Sequence, residues 1–221
     1  MSPVKHAVIA AAGLGSRLGH GKPKCLVEVE GVKILRHLLH LLSDVEDVRV
    51  VVGFEEKEVI NEIRKIRPDV MVVRNPGFRA TTTLHSYELG ARHIKGDCLF
   101  MDGDMLIEEA SFKAFLASCT PNTPRLAITK TKTRDAVFTT VENGIATSFR
   151  RDDPTEYEWA NISWLPNAFF SEIGNTAVYE QLRQFLPMAT QELIAYEIDS
   201  EQDLLLAKEN LHLFSLHALA G

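Results

Sequence analysis

Near the start of the chain, Ala11-Ala12-Gly13-Leu14-Gly15-Ser16-Arg17-Leu18-Gly19 is followed closely by Lys22-Pro23-Lys24. Glycine lets a backbone turn without a side-chain clash, so successive N–H groups can converge on oxygen anions. Arg17 and Lys24 add the full positive charges that would neutralise a polyphosphate, and the loop therefore predicts a triphosphate cradle. Lys22 reads as an extra, solvated cation. The stretch is not a Walker A loop, because GxxxxGK[ST] is absent. Nor is it the dinucleotide fingerprint, whose third glycine and ribose-binding acid are out of place. A plain tight turn is the alternative.

The surrounding pattern says what must hold this loop. Val8 to Ala12 is a short apolar run ended by glycine, which reads as a buried strand, and Ile34 to Leu42 carries apolar residues at helical spacing. Val48–Val52, Val70–Val73 and Cys98–Met101 read as further strands, with helices over Glu55–Ile66, Ser86–His93 and Ile107–Ser118. Alternating strands and helices imply a mostly parallel sheet whose ligands collect at the carboxyl ends of its strands. Asp102-Gly103-Asp104 stands at such an end. The second half reads as antiparallel: Leu126–Thr129, Val137–Val141, a turn at Glu142-Asn143-Gly144, and Ile145–Phe149. Arg150–Glu158 reads as a loop, Ile162–Phe170 as strand, Thr176–Phe185 as helix, Ala195–Ile198 as strand and Asp199–Leu213 as helix.

The 221 residues are 45% hydrophobic and 24% charged, enough for one α/β domain over the whole length. The net charge of −6 argues against a nucleic-acid footprint and for a small partner. Cys25, Cys98 and Cys119 are odd in number and lack CxxC spacing, so neither disulfides nor a zinc knuckle is expected. That pattern fits a reducing cytoplasm. The N-terminal apolar run is too short to span a membrane and shows no signal-peptide cleavage pattern. His37 and His40, three apart on an apolar helix, read as core or surface positions rather than metal ligands.

The glycine loop with Pro23-Lys24-Cys25-Leu26 resembles the signature of the sugar-phosphate and alcohol-phosphate nucleotidyltransferases. Tyr196-Glu197-Ile198-Asp199-Ser200-Glu201-Gln202-Asp203 resembles the E-I-D-[ST]-x-x-D segment of phosphocholine cytidylyltransferases. With Met101-Asp102-Gly103-Asp104, the likeness spans nearly the full length, on three motif-grade segments. The resemblance implies a Rossmann-like, GT-A-like three-layer α/β sandwich with a mixed, mostly parallel central sheet. It also implies transfer of a nucleotidyl group from an NTP, by family association CTP, to a small phosphorylated alcohol or phosphonate, releasing pyrophosphate. Under it, Asp104 and Asp199 hold Mg²⁺, a role suited to a cation that takes hard oxygen ligands from one or two carboxylates plus phosphates. Arg17 and Lys24 are the catalytic cations, and Ala11, Ala12, Gly13, Leu14, Gly15, Ser16, Thr82, Thr83, Ser86 and Asp102 surround the nucleotide.

Several residues keep a second reading. Asp199 or Ser200 could cap the helix that follows. Asp102 could order Asp104 or be an ordinary strand-end acid. Thr82 and Thr83 stand where those cytidylyltransferases carry asparagines, and with Ser86 they could either cap a helix or touch the ligand. Asn75 could be a turn residue. Glu156-Tyr157-Glu158-Trp159-Ala160-Asn161 is the candidate acceptor pocket, an aromatic face with acids suited to an amine or trimethylammonium; an edge-strand Trp with solvated acids is the alternative. Leu204–Leu219 either completes the core or docks a second subunit, leaving monomer and homodimer open. The competing functions are a sugar-1-phosphate nucleotidyltransferase using another NTP and a non-catalytic nucleotide-binding regulatory domain.

Overall fold

The computed structural model describes residues 3–15, 21–166, 169 and 176–219. Strand β1 (His6–Ala11) runs into the glycine loop, and a short hairpin of β2 (Glu28–Val29) and β3 (Val32–Lys33) leads to helix α1 (Ile34–Leu41). Then follow β4 (Asp47–Val52), α2 (Glu56–Ile66), β5 (Met71–Arg74), α3 (Thr83–Ala91), β6 (Asp97–Asp102), β7 (Met105–Ile107) and α4 (Glu109–Ser118). The second half holds β8 (Arg125–Lys130), β9 (Phe138–Glu142), β10 (Ile145–Arg150), β11 (Tyr157–Pro166), α5 (Val178–Leu182), β12 (Met188–Glu192), β13 (Ala195–Glu197) and α6 (Glu201–Glu209).

Nine strands form one mixed sheet in the order β5-β4-β1-β6-β11-β8-β12-β10-β9, with β9 also returning to β11. The first four are parallel, whereas β11 is antiparallel to both its neighbours β6 and β8. The direction changes between β6 and β11, so the carboxyl ends of β1 and β6 look onto the middle of β11.

Strand side chains point alternately to opposite faces, and here both faces are buried. Ala7, Ile9, Leu99 and Met101 join one core with α1, α2 and α4, while Val8, Cys98 and Phe100 join a second core with α3. Apolar runs without polar alternation are what a doubly covered sheet requires. Within α1, Ile34, Leu35, Leu38 and Leu39 are all at most 1% exposed, each such burial being worth about 1.5–3 kcal/mol. Helix α3 lies close on the other face because Gly90 leaves room: a Cβ there would sit 2.4 Å from Val8 Cγ1.

Several elements differ from the sequence reading. Ile107 ends a strand rather than starting a helix, because Glu108 caps α4 by accepting from the N–H groups of Ala110 and Ser111. Tyr157 and Glu158 belong to β11, which ends at Pro166. The two-residue hairpin strands, β7 and β12 were not expected. The predicted terminal helix stops at Glu209, with 3-10 turns at Leu211–Leu213 and Leu216–Leu219. Phe214 and Leu216 are buried in the first core, and Phe214 packs edge-on against Tyr196, so this segment finishes the core. The three cysteines are buried and free. Among the described residues, no helix is long and apolar enough to cross a membrane.

Candidate active site

Backbone hydrogen bonds fix the floor of the site. Gly103 N–H donates to Ala10 O at 2.9 Å and Phe54 N–H donates to Ala12 O at 3.1 Å, which ties the end of β1 to both neighbouring loops. Gly15 has φ +63°, and a Cβ there would meet Lys22 O at 2.8 Å; only glycine takes this turn without strain. Ser16 and Arg17 lie outside the described residues. Lys22 is exposed, as expected of a solvated cation.

Lys24 opens a 3-10 turn, Lys24–Leu26, directly after Pro23. Its Nζ donates to Asp104 Oδ2 at 3.0 Å and makes a close ion pair with Asp199. Asp104 and Asp199, 95 positions apart in the chain, are each only 9% exposed. Their approach is built into the backbone, because β13 pairs with β7 and Ile198 N–H donates to Asp104 O at 2.9 Å.

Ser200, not Asp199, caps α6: its hydroxyl accepts from Asp203 N–H. Asp203 Oδ2 accepts from the N–H groups of Asp199 and Ser200 and from the Ser200 hydroxyl. The S-x-x-D portion of the late motif is therefore a capping box, and it leaves the Asp199 side chain facing Lys24.

A third acid joins them. One oxygen each from Asp104, Glu197 and Asp199 lies within 4.8 Å of the others, and Asp104 Oδ1 is buried with no hydrogen-bond partner among the described residues. Hard oxygens converging beside an unsatisfied carboxylate oxygen fit a hard divalent cation that keeps part of its coordination for phosphate and water. Glu197 was quoted in the sequence motif without a role; its place two residues before Asp199 was the available signal, since positions i and i+2 of extended chain share a face.

The acids crowd one another. Burial first, and then the Asp104 charge, raise Asp102 to about 7 and Glu197 to about 8. Asp102 accepts a 2.5 Å hydrogen bond from the Tyr87 hydroxyl, and burial, reinforced by Asp102, pushes that hydroxyl well above its ordinary value. Asp102 is thus anchored on α3, while Glu197 accepts from Asn161 Nδ2 at 2.9 Å. Asn161 has φ +52° within β11, at the register shift between Trp159 and Ser163. That left-handed residue, a conformation asparagine tolerates better than most, marks the bulge from which its amide meets Glu197.

Two cavities meet here. One, of about 340 Å³, is lined by Ala10–Gly15, Lys24, Asn75, Thr82, Thr83, Ser86 and the Asp102–Asp104 turn. The other, of about 540 Å³, lies between β11 and α6 and includes Lys132, Glu158, Asn161 and Tyr196. Glu197 and Asp199 line both.

In the smaller cavity, Thr82 is the N-cap residue of α3 but its side chain makes no capping bond, and its Oγ1 is buried without a partner among the described residues. Asn75 is more than a turn residue, because its Nδ2 donates to Thr81 and Ser86 and its Oδ1 accepts from Gly77 N–H.

The larger cavity contradicts the aromatic-cage expectation. Tyr157 carries Lys130 over its ring at 4.1 Å, and Glu156 pairs with that lysine. Trp159 is a core residue, 6% exposed, with its indole N–H donating to Ile162 O and Ser163 Oγ. Neither ring is open to a cationic ligand.

The glycine-rich loop and three carboxylates thus share one cavity wall at the end of the parallel half-sheet. Residues 7–199 match the family described as the MobA-like NTP transferase domain, and the chain belongs to that family. A CMP-5'-(3-aminopropyl)phosphonate synthase of Streptomyces rubellomurinus is 30% identical over 77% of this chain and 29% of that protein. The chain spans about a quarter to a third of the length of the curated relatives it matches. The solved inositol-1-phosphate CTP transferase of T. maritima superposes with a TM-score of 0.80 at 17% identity, covering 96% of each chain. A CTP:phosphocholine cytidylyltransferase from Streptococcus pneumoniae gives 0.79 at 20% identity, covering 93% of this chain and 98% of that one. At those identities the likeness is one of fold.

Proposed function

We propose that the chain transfers a nucleotidyl group from an NTP, CTP in preference, to a small phosphorylated alcohol or a phosphonate. A phosphate or phosphonate oxygen of the acceptor attacks the α-phosphorus of the NTP, the bond to the bridging oxygen of the β-phosphate breaks, and pyrophosphate leaves. No protein nucleophile is needed, so catalysis consists of positioning and of stabilising developing negative charge. The observation that carries this reading is Lys24 held between Asp104 and Asp199 at the seam of two cavities, with Asp104 Oδ1 left unsatisfied.

In this reading the smaller cavity takes the nucleotide. The loop N–H groups of residues 11–15 face the phosphates, and Thr82, Thr83 and Ser86 offer short hydroxyls to the base or ribose. Asp104, Asp199 and Glu197 would hold Mg²⁺, which when bound would supply neutralisation of phosphate charge. Lys24 exchanges its carboxylate partners for a phosphate oxygen as the substrate arrives, and Arg17 belongs with the β- and γ-phosphates. Preference for CTP is supported by the aminopropylphosphonate relative and by the two structural neighbours, whose names specify CMP or CTP.

Pyrophosphate release measured with each of four NTPs, magnesium and a panel of phosphorylated alcohols and phosphonates tests the proposal. Turnover with CTP and one acceptor class is the expected result. Turnover with only a sugar 1-phosphate and another NTP would redirect it, and silence with every pair would leave a binding domain.

A further inference from the structure

The larger cavity has a charge character of its own. Lys132 and Arg134 follow β8 and line it, and among the described residues neither has a carboxylate within ion-pair distance. Lys132 Nζ donates to two neutral oxygens, Thr129 Oγ1 at 2.6 Å and Lys130 O at 2.9 Å, and lies 4.9 Å from the centre of the Tyr196 ring. The third N–H of its ammonium has no partner among the described residues.

The acids of the same cavity are already engaged. Asp135 pairs with Arg151, Asp203 accepts the three capping bonds at the start of α6, Glu158 accepts from the Lys132 N–H, and Glu197 accepts from Asn161. With the aromatic faces taken as well, Lys132 and Arg134 are the cations of this cavity without a close ion pair among the described residues, and the Lys132 ammonium keeps one N–H for a ligand beside the Glu158 carboxylate.

We propose that the larger cavity selects an acceptor carrying a second anionic group, a carboxylate or phosphate, at the end away from its reacting phosphate, with Lys132 as the residue that grips it. The position fits a distal group. Glu158, beside Lys132, stands three residues along β11 from Asn161, the residue bonded to Glu197, a separation of up to about 10 Å in extended chain. A two- to three-carbon spacer between the anions covers much of that distance. The proposal rests on the nucleotidyl-transfer reading only in calling the ligand an acceptor.

Binding without nucleotide separates the two questions, because no transfer can occur. The probes are 3-phosphonopropionate, propylphosphonate and 3-aminopropylphosphonate, matched in length and titrated calorimetrically into wild type, Lys132→Met and Lys132→Arg. A charge-assisted hydrogen bond predicts 3-phosphonopropionate binding about tenfold tighter than propylphosphonate, with 3-aminopropylphosphonate weaker still. Lys132→Met should erase the advantage of the carboxylate and leave propylphosphonate unchanged, while Lys132→Arg should retain most of it. Equal or reversed preference in wild type overturns the proposal. Equal weakening of all three probes in Lys132→Met also overturns it, since the lysine would then hold the reacting phosphonate instead. Failure of every NTP to turn over would sink the transferase reading and leave these titrations standing.

Discussion

The two cavities are built from different materials. The smaller one stands at the ends of parallel strands and is lined chiefly by backbone, glycine and short hydroxyl side chains around Lys24 and the acids, whereas the larger one sets long charged side chains, among them Lys132, Arg134, Arg151 and Glu158, around a floor of buried residues such as Met105, Trp159 and Ala195. Backbone held by a buried sheet moves little, so the first can be a fixed mould for a group that never changes. Long side chains on an exposed rim can be exchanged singly without disturbing the core, which suits a ligand that differs from one protein to the next. The carboxylates at their junction belong to both.

If that contrast is right, substitutions should sort by location. The largest effect belongs to the junction: Asp104→Asn should lower the rate of pyrophosphate release by about 10²- to 10³-fold while the thermal unfolding transition stays cooperative. Undiminished turnover would remove Asp104 from the chemistry.

His37 comes next. It sits in α1, 3% exposed, with Nε2 2.8 Å from Ile107 O, and so braces the strand that follows Asp104. Burial lowers it from 6.5 to about 4. Between those values the unfolded chain binds a proton that the folded chain refuses, so stability is full above about pH 6.5 and falls as pH drops toward 4. The loss is on the order of 3 kcal/mol. Melting curves at pH 4.5 and 7.5 should converge in His37→Leu relative to wild type; identical pH dependence in the two proteins would exclude His37 as a source.

Gly90→Ala should then cost about 1–3 kcal/mol by overpacking α3 against Val8 and, because α3 carries Thr83 and Ser86, raise the KM for the nucleotide more than that for the acceptor. An acceptor-only effect would break the division between the cavities. The smallest change is expected for Asn161→Gly, which keeps the left-handed backbone and deletes the bond to Glu197. Loss of that one bond predicts a cost of about 1–2 kcal/mol, read as a slightly lower melting temperature and a modest fall in kcat, with the nucleotide KM unchanged.

The same division governs what could be read from the sequence. Strands β1, β4 and β6 and helices α1 and α2 announce themselves because burial on both sheet faces demands continuous apolar runs, and helix faces repeat every three to four residues. Met188–Glu192 contains one buried residue and three half-buried ones. It is a strand because β8, some sixty positions earlier, offers it a parallel edge, which no local pattern encodes. The β2–β3 hairpin did carry a signal, Glu30-Gly31, with both residues at positive φ. Lys24, Asp104 and Asp199 were found through motifs, and their meeting depends on the β7–β13 pairing, whose strands are too short to advertise themselves. Lys132 was out of reach, being a loop lysine like many others; Asn161 fell within the segment singled out for the acceptor pocket, which does line the larger cavity, but its bond to Glu197 depends on a bulge that only the partner strands define.

Asp203 spends its carboxylate on three donors at the head of α6 and so never reaches Lys24. A residue that looks from its motif like a further participant in the chemistry is scaffolding that fixes the angle at which Asp199 enters. Replacing it with a longer acid would leave the charge count intact and still misdirect its neighbour four positions earlier. Homologues that lack it should be sought among proteins whose late aspartate has also been released from service.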